Sequence, residues 1–331
     1  MPALHTFLIP DPEAFVSGGN RYNLELIQAL REVGLSVNVR TWENWKPGPG
    51  EGLLWVDSLY LDQWAGLADK PEARLLVHHL PSLFSENEAA DVAKDRTQLR
   101  HFSGFLCTSA FTAEYLVKLG FSQDQCLTVD PGAHLLPPRA RGYADSLRGL
   151  IVANVISRKG ILPLLESLLS AAGAESSPWQ LSIAGSEQLD VAYAQACGAL
   201  VARHELLASR VHWLGELDEA SMKAAYLSHN LLLSPAAMET YGMAIREGLC
   251  MGLPALVMEG GFAHRHLDGG QQGAIFSSSA TMAAAFCQLS QHPDRLRALC
   301  EKQWQVKPTP ISWKAQALSF IQQTETWQAK R

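Results

Sequence analysis

LLLSPAAMETYGMAIREGLCMGLPALVMEGG, residues 231–261, reads as strand, loop, helix and strand. Leu231–Ser234 and Ala255–Met258 are short, nearly unbroken apolar runs of the kind buried inside a parallel sheet, and Tyr241–Met251 between them carries its apolar residues at helical spacing. Parallel neighbours need such a crossover, so the stretch predicts a βαβ unit. Tyr241, Gly242, Met243 and Ala244 are expected to form the first turn of the helix. Their unpaired N–H groups and the helix dipole make a receptor for an anion such as a diphosphate, with Gly242 allowing close approach to the backbone. Glu239 stands in the loop at the same mouth, able to accept hydrogen bonds from sugar hydroxyls. Glu247 lies four residues after Met243 on one helix face, where a carboxylate needs a diol or a basic partner.

The same alternation extends in both directions. Towards the N-terminus it predicts strands at 4–9, 36–40, 53–56, 74–78, 104–107 and 126–130, with helices at 20–33 and 109–119. Beyond Pro131–Arg148, rich in proline and glycine, strands are expected at 150–154, 180–184 and 211–214, with helices at 159–172, 191–207 and 219–227. No internal repeat is visible. At 331 residues the chain is about twice the ~150-residue domain norm. We therefore expect an α/β fold with two doubly wound domains, 1–135 and 149–310, a linker at 136–148, and a helix at 311–331 packing back on the N-terminal domain. Such sheets bind ligands at the carboxyl ends of their strands, here in a cleft between the domains.

Composition narrows the classes further. Hydrophobic residues are 47% and charged residues 18%, which excludes disorder. Residues 1–147 hold 12 basic against 18 acidic side chains and the remainder 15 against 15, so the net charge of −6 belongs to the N-terminal half. Nucleic acid is not an expected partner. Six cysteines without a CxxC pair read as reduced thiols of a cytoplasmic protein. No stretch has the length of a membrane span, and the N-terminus lacks the pattern of an export signal.

The spacing Glu239-x7-Glu247, with Tyr241-Gly242-Met243 after the first glutamate and Gly252-Leu253-Pro254 before the next strand, resembles the signature of retaining glycosyltransferase family 4, of GT-B fold. SGGNRYNLELIQALREVG (17–34) resembles that family's first Gly-Gly loop and helix, and CLTVDPGAH (126–134) its strand and turn before the linker. ANVISRKGILPLLESL (153–168) is similar to its lysine motif; SIAG (182–185) and RVHWLGELDEASMKAAYLSHNLLLSP (210–235) fit in order. The resemblance covers nearly the whole chain. It implies two Rossmann-like domains, acceptor on the N-terminal one and nucleotide sugar on the C-terminal one.

It further implies metal-independent, retaining transfer of a hexose from a UDP- or GDP-sugar to a glycan, lipid or small-molecule acceptor, with no cofactor and at most a weak peripheral membrane contact. By the same resemblance Glu239 contacts the donor sugar, the amides at 242–244 hold the diphosphate, Glu247 takes the ribose hydroxyls, and Lys159 neutralises the departing diphosphate, with Arg158 as a candidate second cation. One of His78 and His79, in LLVHHLPS (75–82), falls where the family has a histidine near the reacting centre; adjacent strand residues point to opposite faces, so only one can look into the cleft. Gly18 and Gly19 are expected to meet acceptor or phosphate through their amides.

Three positions depart from the pattern. Asn154 stands where many members carry arginine, Ala236 where serine often follows the proline, and His264 where a glutamate is common. Asn154 favours an alternative, a non-catalytic nucleotide-sugar-binding subunit. A dinucleotide-dependent oxidoreductase has only the fold class in its favour, because no clean GxGxxG follows the first strand. Asp11-Pro12-Glu13 resembles a metal clamp only superficially, and His264 and His266 lack a third ligand at characteristic spacing, so no metal site is expected.

Overall fold

A computed structural model describes residues 4–11, 17–48, 50–84, 88–133, 146–171, 178–267 and 272–330. The chain divides into two compact units, 1–134 with 311–331, and 135–310. The expected linker at 136–148 lies outside the described residues up to position 145.

The first unit contains β1 (His5–Leu8), α1 (Gly18–Glu32), β2 (Val37–Arg40), β3 (Leu53–Asp57), α2 (Leu61–Ala65), β4 (Ala73–Val77), α3 (Glu88–Leu99), β5 (Phe105–Cys107), α4 (Ala110–Lys118) and β6 (Cys126–Thr128). All six strands pair in parallel in the order β2-β1-β3-β4-β5-β6. The central strands read as apolar runs because helices cover both faces, and every residue of β1, β4 and β5 is buried.

The second unit contains β7 (Leu147–Val152), α5 (Ile161–Ser170), β8 (Trp179–Ala184), α6 (Val191–Arg203), α7 (Glu205–Ala208), β9 (Val211–Gly215), α8 (Glu219–Ser228), β10 (Leu231–Ser234), α9 (Met243–Cys250), β11 (Ala255–Met258), β12 (Gly273–Phe276), α10 (Ser279–Gln291) and α11 (Pro293–Val306). Its parallel sheet runs β12-β11-β10-β7-β8-β9. Last comes α12 (Trp313–Ala329), packed on α1 in the first unit; its Gln323 closes two bonds with the Thr128 backbone, and the Trp313 ring meets Tyr22 edge-on.

Several boundaries differ from the sequence expectation, each for a local reason. The helix predicted from Asn20 begins at Gly18, because Ser17 is its N-cap and accepts from the Asn20 N–H. The helix predicted from Tyr241 begins at Met243, because Gly242 takes a left-handed conformation (φ 87°) at its N-cap. Lys159 falls in a 3-10 turn ahead of α5 rather than within it. The helix predicted over 191–207 breaks at His204, and β7 begins at Leu147, inside the expected linker. Helices α2, α3, α10 and α11 and strand β12 were not predicted.

Candidate functional site

In the second unit the chain leaves β7 for β8 on one side and later returns through β10 on the other, so β7 and β10 are neighbours whose following loops diverge to opposite faces. Lys159 follows the first of these strands and Glu239 the second. Their charged atoms meet: Lys159 Nζ lies 2.5 Å from Glu239 Oε1, and both side chains are mostly buried. The next residue brings them together. Gly160 has φ 67°, and a Cβ there would lie 2.2 Å from the Pro235 carbonyl oxygen, so only glycine lets the lysine turn press against the loop carrying Glu239.

That loop is clamped from behind. Phe262 donates its N–H to the Glu239 carbonyl (2.7 Å), and Glu239 forms an isolated bridge with Gly261. The Tyr241 ring stacks on Phe262 (centroids 5.3 Å) and meets His266 edge-on (4.7 Å). His266 Nε2 lies 2.7 Å from the Tyr241 carbonyl; a carbonyl only accepts, so Nε2 carries the hydrogen. Burial holds this imidazole down to a pKa of about 4, keeping it neutral. Tyr241 therefore serves the loop with its ring and carbonyl and lies outside the helix. At the N-terminus of α9 the first bonds run from the Ile245 and Arg246 N–H groups to the Gly242 carbonyl, which leaves the Met243 and Ala244 amides ahead of them unspent on the helix. Glu247, one turn further, is buried, and its Oε2 accepts from the Tyr226 hydroxyl at 3.0 Å.

The first unit has its own cluster at the carboxyl ends of β3 and β4, beside α1 and next to the β1–β3 pair at which its strand order reverses. His78 and His79 both lie just past β4, and both backbone N–H groups donate to Ser58 Oγ at 3.1 Å. Their rings part company. His78 packs against the first turn of α1, so that a Cβ on Gly19 would lie 3.3 Å from its Cγ, and its Nε2 is 2.7 Å from Asn23 Oδ1. His79 instead meets Phe84 edge-on at 4.5 Å. The structure thus groups His78 with Gly18 and Gly19, now the first two residues of α1, and leaves His79 apart from them.

Among the remaining candidates, Arg158 shares the turn of Lys159 but is exposed. Asn154 Oδ1 accepts from the Ser186 N–H (3.0 Å) and holds the loop after β8. Asn23, Asp57, Tyr226 and Phe262 were not singled out from sequence, and His266 was weighed there only as a metal ligand. Two carried a readable signal: Asn23, like Asn20, is a polar residue on the mostly apolar, buried face of α1, and Asp57 ends a buried strand with a carboxylate. All six cysteines are free, and Cys126 alone is not fully buried. Residues 12 and 13 of the clamp-like tripeptide lie outside the described residues, among which no group of three or more His, Cys, Asp or Glu could hold a metal ion and no helix is long and apolar enough to cross a membrane.

Residues 147–292 match the family described as glycosyl transferases group 1. No curated protein matches the chain. Among solved structures, the sucrose-phosphate synthase of Thermosynechococcus elongatus superposes with a TM-score of 0.76 at 17% identity, over 99% of this chain and 100% of that one. HepE of Anabaena in complex with UDP-glucose gives 0.74 at 14% identity over 99% and 100%, and a glycosyltransferase from Rickettsia africae 0.70 at 14% over the whole of both chains. At such identities the likeness is one of fold, and it agrees with the two six-stranded parallel sheets. Residues 147–292 are thus similar to the glycosyl transferases group 1 family, and the chain has the α/β fold of the GT-B glycosyltransferases.

Proposed function

We propose that this protein is a retaining glycosyltransferase that moves a hexose from a uridine diphosphate sugar to an acceptor hydroxyl without a metal ion. The observation that carries the reading is the Lys159–Glu239 pair, set at the strand-order reversal in the same loop system as the unspent amides of α9. A diphosphate brings negative charge to those amides, and Lys159 can exchange its carboxylate partner for a phosphate oxygen. Glu239, released, becomes an acceptor for hydroxyls of the sugar. As the sugar turns oxocarbenium-like, the charge grows on the leaving diphosphate, where a preplaced ammonium and helix N-terminus stabilise it most. Glu247, held by Tyr226, is assigned the ribose hydroxyls. Uridine is favoured over guanosine because HepE, of the same fold, is solved with UDP-glucose. The donor then belongs to residues 147–292, the acceptor to the first unit, and the cytoplasm is the expected location.

The test is thermal stability in the presence of UDP, UDP-glucose, GDP and GDP-mannose. A ligand held only by the folded state raises the melting temperature, by about 2.7 kcal/mol of stability at a hundredfold excess over Kd. Stabilisation by the uridine pair supports the reading; no response to any of the four overturns it. A second reading, a nucleotide-sugar-binding subunit without turnover, is favoured by Asn154, whose side-chain oxygen is spent on the Ser186 backbone. Slow hydrolysis of the donor in water, abolished in Lys159→Ala, decides for the enzyme.

A further inference from the structure

His78, Asn23 and Asp57 form a chain of polar side chains buried between β3, β4 and α1, and its bond directions can be worked out from one end. Asp57 Oδ1 accepts from the Leu59 N–H at 2.9 Å, and Oδ2 lies 2.7 Å from Asn23 Nδ2. A carboxylate has no hydrogen to give, so Asn23 must turn its NH2 to Asp57 and its carbonyl to His78. That carbonyl, 2.7 Å from His78 Nε2, can only accept, so Nε2 carries the imidazole hydrogen. Asn23 and Asp57 are each 1% exposed, and this geometry has no slack to reverse. Nδ1 is then the atom with the lone pair. The polar contacts of His78 among the described residues run through its backbone N–H and Nε2, none through Nδ1, and the side chain keeps 12% of its surface exposed. The ring itself is held by Tyr22 edge-on at 5.2 Å and by the first turn of α1 at Gly19.

We propose that Asp57 and Asn23 are positioning residues that fix His78 as the Nε2–H tautomer and so present Nδ1 as a hydrogen-bond acceptor for a hydroxyl of the acceptor, the substrate assigned to this unit. The assignment rests on the proposed sugar transfer. Burial lowers the pKa of His78 and favours the neutral ring that this role needs, while Asp57, 3.7 Å from Nε2 and the charged group beside it, opposes the shift in part. A merely structural triad would hold the ring equally well with either tautomer; here the carboxylate selects one.

The experiment is nitrogen NMR on protein labelled with 15N-histidine, with His78 assigned by the signal lost in His78→Gln. In the unmodified protein the result expected is a protonated Nε2 and an unprotonated Nδ1; a protonated Nδ1 overturns the proposal without any variant being made. Asp57→Asn supplies an amide that can donate to Asn23, which lets Asn23 turn over and offer its NH2 to His78. The tautomers should then mix, and the His78 pKa should fall, since the opposing charge is gone. With a donor and an acceptor that turn over, kcat/KM for the acceptor should drop about tenfold, the worth of one hydrogen bond, while affinity for UDP, assigned to the other unit, stays unchanged and reports an intact fold. An unaltered tautomer and unaltered turnover in Asp57→Asn refute the relay. The expected tautomer in a protein that binds no nucleotide sugar refutes instead the reading of function, and with it the acceptor hydroxyl as the group that Nδ1 serves.

Discussion

Lys159 and Glu239, 80 positions apart in sequence, form an ion pair of 2.5 Å that ties the loop after β7 to the loop after β10. Neither is exposed by more than 16%, so the pair is partly desolvated, and removing one partner leaves the other charge poorly compensated. In the proposed reaction the pair is a resting arrangement that an incoming diphosphate must open.

Lys159→Ala should lower kcat on the order of 100-fold with a smaller change in KM, since a removed electrostatic donor costs most where charge develops. Steady-state kinetics with UDP-glucose, once an acceptor is found, or donor hydrolysis in its absence, checks this. An unchanged kcat removes the lysine from the mechanism.

Glu247→Gln and Glu239→Gln should separate by ligand. A hydrogen bond to a charged group is worth about 1.5–3 kcal/mol, so Glu247→Gln should weaken UDP and UDP-glucose alike, because the ribose is common to both. Glu239→Gln should weaken UDP-glucose and leave UDP no weaker, because it also frees Lys159 from its rival carboxylate. Calorimetric titration of both variants with both ligands gives the pattern; the reverse pairing assigns the roles wrongly.

Activity should persist in a chelator without added divalent cation, since Lys159 and the α9 amides are assigned the charge compensation. Loss of turnover in EDTA, restored by magnesium or manganese, contradicts the assignment.

Two buried histidines should make the fold sensitive to mild acid. His5 and His266 are each held to a pKa of about 4, by burial first, against about 6.5 when unfolded. Between those values the unfolded chain binds protons that the folded chain does not, so stability is full above about pH 6.5 and falls as pH drops towards 4, by up to about 1.4 kcal/mol per pH unit for each histidine. Denaturant unfolding at stepped pH measures the slope, and His266→Gln should reduce it.

Cys126 should be alkylated first among the six cysteines. A hydrogen bond from Cys107 lowers its pKa, it is only half-buried, and the other five thiols are buried. Mass spectrometry after brief iodoacetamide treatment of the folded protein identifies the modified residue.

The fold class was legible because runs such as LLV (75–77), LLL (231–233) and ALVM (255–258) are apolar throughout, as strands covered on both faces require, and because helical periodicity lies between them. Where the pattern was weak it misled. The helix α3 is mostly polar, and α2 is five residues long, too short to show a period, so neither announced itself. Helix starts shifted by two residues at Gly18 and Met243 because a cap is a backbone geometry, decided by Ser17 in one case and by a left-handed Gly242 in the other.

The sequence by itself determined the two sets of βαβ alternation and singled out Lys159, Glu239, Glu247 and the histidine pair, since periodicity and motif spacing are properties of neighbouring residues. Only the tertiary structure decided that Lys159 meets Glu239, that His78 and not His79 turns to Gly19, and that Asn23 and Asp57 stand behind His78. The reason is strand order. A parallel sheet places β7 beside β10 and β1 beside β3, so residues far apart in the chain come to the same carboxyl edge, and which side chains touch there depends on register and crossover rather than on any local pattern.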